Sequence, residues 1–200
     1  MNERASVTLK KLDPSTAFRL WEAGQQSTDW PFDRTGALWQ TRQSELAAAE
    51  VLAWGCARAV AVNGELVGLC TLQAVDPAVQ AEPSTIECGT WLLTAARGRG
   101  LNQEVKVALL DFAFSGHVLP IPEWCLFLLH PDNTRARASL LRMPLPWVEE
   151  DSRDALTTKY FRAILRRRAW ETGQPAIAIA IDRAAYLRSS LHMPLTDRCP

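Results

Sequence analysis

Arg97-Gly98-Arg99-Gly100-Leu101-Asn102 follows an apolar run, Cys88 to Leu93, and opens a periodic segment that continues to Phe114. The pattern predicts a strand, a glycine turn and a helix. Such a turn gathers backbone N–H groups at a helix N-terminus, where unpaired donors and the helix dipole favour a phosphate or pyrophosphate. Gly98 and Gly100 lack a Cβ, so the backbone there can take positive φ and approach a bulky anion. Arg97 and Arg99 add positive charge at the rim. A plain strand-to-helix connection would use the same turn, so the surrounding residues must decide between the two.

Two other phosphate loops fail on the letters. The run Gly-x-x-x-x-Gly-Lys-Ser/Thr is absent, and the dinucleotide fingerprint needs a third glycine where Gln103 stands, after an early βαβ unit that this chain lacks. What the stretch resembles is the acetyl-CoA loop of the GNAT superfamily of N-acetyltransferases, Gln/Arg-x-x-Gly-x-Gly/Ala between a central strand and a helix. Upstream, Glu87-Cys88-Gly89-Thr90-Trp91-Leu92-Leu93 resembles the preceding strand in the branch that includes the ribosomal-protein N-terminal acetyltransferases. Downstream, His130-Pro131-Asp132-Asn133-Thr134-Arg135 is similar to that branch's strand end and Asn-led helix start, and Val7-Thr8-Leu9-Lys10-Lys11-Leu12 to its opening. The resemblance implies an α/β fold, a mixed and twisted central sheet flanked by helices, over residues 1–170. Residues 171–200 are then a C-terminal extension of unassigned role.

Two hundred residues with 48% apolar and 22% charged side chains make one substantial domain. The 22 basic and 22 acidic residues balance, so no whole-chain field draws nucleic acid or an anionic membrane. Five cysteines, Cys56, Cys70, Cys88, Cys125 and Cys199, are odd in number and widely spaced. They argue against a disulfide framework and for a reducing, cytoplasmic setting. The N-terminus lacks a signal peptide's apolar core and no stretch reaches the length of a membrane span. Three histidines, His117, His130 and His192, show no metal-ligand spacing, so no metal is expected.

In chain order, Val7 to Leu12 reads as a strand, and Asp13-Pro14-Ser15 caps a helix to about Ala23 with Gly24 as its stop. A second helix is expected from Ala37 to Leu52. Asn63-Gly64 joins two apolar runs, Ala57 to Val62 and Glu65 to Leu72, as a type I′ hairpin, because both residues tolerate positive φ. Thr85 to Leu93 and Trp124 to Leu129 read as strands, with Asp132 or Asn133 capping a helix from Thr134 to about Arg142. The helix after the glycine turn carries Leu101, Val105, Leu109 and Phe112 on one face and Val107, Leu110 and Phe114 on a second, predicting burial on two sides. Tyr160 to Leu165 alternates like a strand. Ile177, Ile179 and Ile181 form another, followed by a helical Arg183 to Leu191; this tail either covers the sheet or reaches a second subunit, which leaves a homodimer open.

The resemblance implies acetyl-CoA as co-substrate. The backbone of Trp91, Leu92 and Leu93 would pair with the pantetheine arm, the N–H groups of Arg97, Gly98, Arg99, Gly100, Leu101 and Asn102 would hold the pyrophosphate, and Asn133 would contact the cofactor. Glu87 matches the family's acidic strand residue and is the candidate base, its pKa to be raised by an apolar surround; against this, a Glu87 that points outward or pairs with an arginine is structural. Trp30 and Trp39 are candidates for touching a small-molecule or peptide amine, with a core or rim place as the alternative. The match weakens at the acid: Leu140 and Ala136 occupy positions where the family carries Tyr or Ser, Ala95 the first position of the loop pattern, and Pro144-Leu145 that of a usual Gly-Phe. Ser139, Cys125, Tyr160 and solvent all stay open as proton donors. The expected activity is N-acetyl transfer, the alternatives an acyl-CoA-binding protein without catalysis or a phosphate-ligand-binding or interaction module.

Overall fold

The computed structural model describes residues 6–25, 57–75, 84–118, 121–152, 161, 164–165, 173 and 175–189. Among the described residues seven strands form one mixed sheet flanked by helices, in the order Val7–Lys11, Arg58–Val62, Glu65–Ala74, Thr85–Leu92, Trp124–Leu129, Ile177–Asp182, Val148–Asp151. The chain falls into two compact units, Met1–Gln73 with Gly89–Ala108, and Ala74–Cys88 with Leu109–Pro200.

The first unit opens with β1 (Val7–Lys11), antiparallel to β2 (Arg58–Val62), which turns at Asn63-Gly64 into antiparallel β3 (Glu65–Ala74). Asn63 (φ +50°) and Gly64 (φ +83°) both have the positive φ that a type I′ turn requires. Helix α1 (Pro14–Gln25) starts where expected. The Asp13 carboxylate accepts from the Thr16 N–H at 2.9 Å and from the Ser15 and Thr16 hydroxyls at 2.7 Å each. Gly24 does not stop this helix but lies buried inside its last turn. Ala17 and Leu20 of α1 pack with Leu12, Ala57, Ala59, Leu69 and Trp91 into an apolar core. The helix expected over 37–52 lies outside the described residues.

Strand β4 (Thr85–Leu92) begins in the second unit and ends in the first, and helix α2 (Leu101–Phe114) runs the opposite way. In the second unit β4 is parallel to β5 (Trp124–Leu129) over three rungs, Thr85 to Glu87. Helix α3 (Thr134–Leu141) and β6 (Val148–Asp151) follow. The alternation of Ile177, Ile179 and Ile181 is β7 (Ile177–Asp182), which lies between β5 and β6 and is antiparallel to both. Its isoleucines and the intervening alanines are all buried, as a strand covered on both faces demands. A five-residue helix α4 (Arg183–Leu187) closes the described chain, with Asp182 as cap.

One further expectation fails here, and one strand appears where none was expected. Around 161–165 the Leu165 N–H donates to the Phe161 carbonyl at 2.9 Å, a helical i to i−4 bond, so this is a turn of helix and not a strand. Phe161, Ile164 and Leu165 pack on Leu126, Ala178 and Ala180, and their spacing serves a helical face as well as a pleat. Strand β6, with three acidic residues in four, was not anticipated.

Candidate active site

Strand β4 leads through a 3₁₀ turn, Thr94–Ala96, into the glycine loop and α2. Gly98 (φ +75°) and Gly100 (φ +76°) both adopt left-handed backbone. A Cβ at either would meet nothing within 4 Å, so the sign of φ, not crowding, demands glycine, and the turn faces open space. The first-turn N–H groups of Leu101, Asn102 and Gln103 precede the hydrogen-bond ladder of a 14-residue helix. The Arg97 N–H donates to Thr94 at 3.2 Å, closing the 3₁₀ turn, so the loop's donor set starts at Gly98. Arg99 Nη1 lies 3.4 Å from Glu65 Oε2 at the β2–β3 hairpin, an exposed pair that shares its charge.

At the end of β4, Trp91 is buried in the first unit's core. The Leu93 N–H donates to the Val67 carbonyl of β3 at 2.9 Å. A trans peptide then points the Leu92 carbonyl to the opposite edge, where Arg97 Nε donates to it at 2.9 Å. The Arg97 guanidinium carbon lies 5.9 Å from the centroid of the Trp91 ring, within cation–π range. Gly68 permits the close approach of β3, since a Cβ there would collide with the Trp91 carbonyl oxygen and the Leu92 Cα.

Glu87 is half-buried and in register with Leu126, which pairs in turn with Ala180 and that with Val148. These side chains share one face of the sheet. Cys88 projects from the other face, where burial first, and then Cys125 beside it, pushes its thiol well above the usual range. Cys125 is itself fully buried and no plausible proton donor to an open site. On the same unit the Tyr186 hydroxyl of α4 donates to Asp111 Oδ1 of α2 at 2.9 Å, both groups being buried. Burial, with the Asp111 charge second, drives the Tyr186 pKa upward.

Asn133 caps α3, its Oδ1 accepting from the Ala136 N–H at 3.1 Å. Leu140 is wholly buried, so the position where the family carries Tyr is here part of the core. Trp30, Trp39 and Tyr160 lie outside the described residues. Phe112 and Val107 are only half-buried, whereas Lys106 is buried at 2% exposure, and burial pulls its ammonium down to about 8. The sequence carried a sign of this, since a helix with apolar residues on two sides leaves little solvent face for a lysine between Val105 and Val107. Among the described residues no three His, Cys, Asp or Glu side chains converge as a metal site would need.

The model of the acetyltransferase (GNAT) domain family matches residues 8–145. The chain belongs to this family. Three solved acetyltransferases show the same fold. Aminoglycoside acetyltransferase AAC(6')-Ib, in complex with coenzyme A, aligns over 92% of this chain and 99% of its own, with a TM-score of 0.65 and 19% identity. The spermidine N-acetyltransferase from Vibrio cholerae, in complex with CoA and spermine, covers 91% and 98% at a TM-score of 0.58 and 16% identity. A chimera of the Vibrio cholerae spermidine enzyme and hSSAT covers 92% and 99% at 0.61 and 14%. The ribosomal-protein branch expected from the sequence finds no support in these matches: at such identities short motifs around Glu87 and Asn133 do not separate one GNAT branch from another.

Proposed function

We propose that this GNAT acetyltransferase moves the acetyl group of acetyl-CoA to a primary amine, on a small molecule or a peptide N-terminus. The observation that carries the reading is the pair of left-handed glycines, Gly98 and Gly100, opening onto free space ahead of a long helix. The loop fits a pyrophosphate, because its donors are backbone N–H groups and the helix dipole adds positive potential. In this reading Gly98 to Asn102 hold the pyrophosphate, the end of β4 takes the pantetheine arm, Asn133 assists, and Trp30 and Trp39 face the acceptor. The bound thioester supplies an activated acetyl group.

An alkylammonium has a pKa near 10.4, so the acceptor must lose a proton before attack. Glu87, half-buried on β4, takes that proton directly or through a water. The leaving thiol has a pKa of about 8.5 and departs as a tolerable anion, which makes the loss of the family Tyr at Leu140 compatible with turnover. Spermine and aminoglycosides are polyamines, and the likeness to enzymes of those substrates favours a cationic small-molecule acceptor.

The test has two readouts. Saturating CoA should raise the melting temperature by about 5–10 °C, and Gly98→Val or Gly100→Val should lose that shift. Thiol release from acetyl-CoA should then appear with at least one of spermidine, an aminoglycoside and a peptide with a free N-terminus. A melting curve unmoved by CoA, with no thiol released, would sink the proposal.

A further inference from the structure

An unpaired strand edge bonds to any extended chain that brings amides. The Leu92 carbonyl is such an acceptor, because the peptide that sends the Leu93 N–H to Val67 points this oxygen away from β3. The pantetheine arm of the proposed acyl donor carries amides of the required kind. In the protein itself the acceptor is already taken by Arg97 Nε at 2.9 Å, five residues along, with the guanidinium over Trp91. Gly98, the first residue of the anion turn, is the next in the chain.

We infer that Arg97 determines specificity for the acyl donor by standing at two stations. Without ligand its guanidinium closes the Leu92 carbonyl; a phosphate group at the glycine turn draws it away and opens the strand edge to the arm. The inference rests on the acetyl-CoA reading of this site. An arginine bonded to a neutral carbonyl gives up that partner for an anion, since the phosphate adds the Coulomb attraction of an opposite charge and can accept two parallel bonds. A phosphate-free pantetheine offers the guanidinium nothing in exchange and has to displace it. The chain therefore discriminates against short thioesters by more than their missing phosphate contacts.

The experiment compares dissociation constants of CoA and pantetheine for the wild type and Arg97→Met, which keeps bulk against Trp91 and removes the donors. One hydrogen bond from a charged donor to displace corresponds to about a ten- to hundredfold effect. Pantetheine should bind Arg97→Met tighter than the wild type by that factor, and CoA more weakly. Pantetheine binding that is equal or weaker in the variant overturns the inference. Should Arg97→Met not fold, the wild type decides alone: the Arg97 Nε–H resonance should exchange slowly with water in the free protein and lose that protection when pantetheine saturates it. A Nε–H still protected in the pantetheine-saturated protein overturns the two-station arrangement. CoA that fails to bind the wild type at all overturns the acetyl-CoA reading itself, a result distinct from either of these.

Discussion

Glu87 is half-buried and shares its sheet face with Leu126, Ala180 and Val148. Glu87→Gln keeps the shape and removes the base. With an accepted amine, kcat at pH 7 should fall by about a hundredfold to ten-thousandfold with CoA affinity intact, and the loss should shrink as the amine sheds its own proton at higher pH. An unchanged kcat from pH 7 to 9 would make Glu87 structural. At this scale the sequence was legible where residue type encodes backbone: Gly98 and Gly100 could be read because only glycine takes their φ cheaply. The bond from Arg97 to Leu92 could not, because it depends on which rotamer a long side chain adopts after the 3₁₀ turn has folded it back. Asn133 was readable as a cap, since an amide at that point bonds its own helix.

Among the elements, α1 is capped by Asp13. The hydrogen bonds from Ser15 and Thr16 hold the Asp13 carboxyl well below its usual range. A depressed carboxylate stabilises the fold above its unfolded pKa, near 3.9, and that contribution is lost as pH falls toward the folded value. Asp13→Ala should thus lower the melting temperature by about 2–4 °C near neutrality. The gap to the wild type should stay constant above about pH 5, narrow below pH 4 and close only in strong acid. A gap that does not change with pH would assign the loss to helix propensity and not to the carboxylate. The Asn63-Gly64 hairpin was legible because turn chemistry is local. Strand β6 was not, since Glu149, Glu150 and Asp151 carry no apolar alternation; its pairing needs β7 alongside, and Glu149 is matched by Arg137 of α3 at 2.7 Å.

On the scale of the whole molecule, the family fold could be read from motifs because they sit at the loop that joins β4 to α2, and chain order supplied the rest. The place of β7 could not, because alternation reveals a strand but not its neighbours. Tyr186, just beyond β7, fastens this tail: its hydroxyl bonds the buried Asp111, and its ring lies 5.6 Å from that of Phe114. Tyr186→Phe leaves the carboxylate without this donor and should cost about 1–3 kcal/mol, seen as a lower urea midpoint at unchanged slope. No shift in the midpoint would show that Asp111 finds another donor. The position of β7 between β5 and β6 also sets a schedule during synthesis. β5 finds β4 already made, yet its other edge and the whole of β6 have no partner strand until residues 177–182 have been made. At 5–20 residues per second the apolar edge of β5 therefore waits for seconds as an open template for other nascent chains, and this unit completes its sheet only once β7 has emerged.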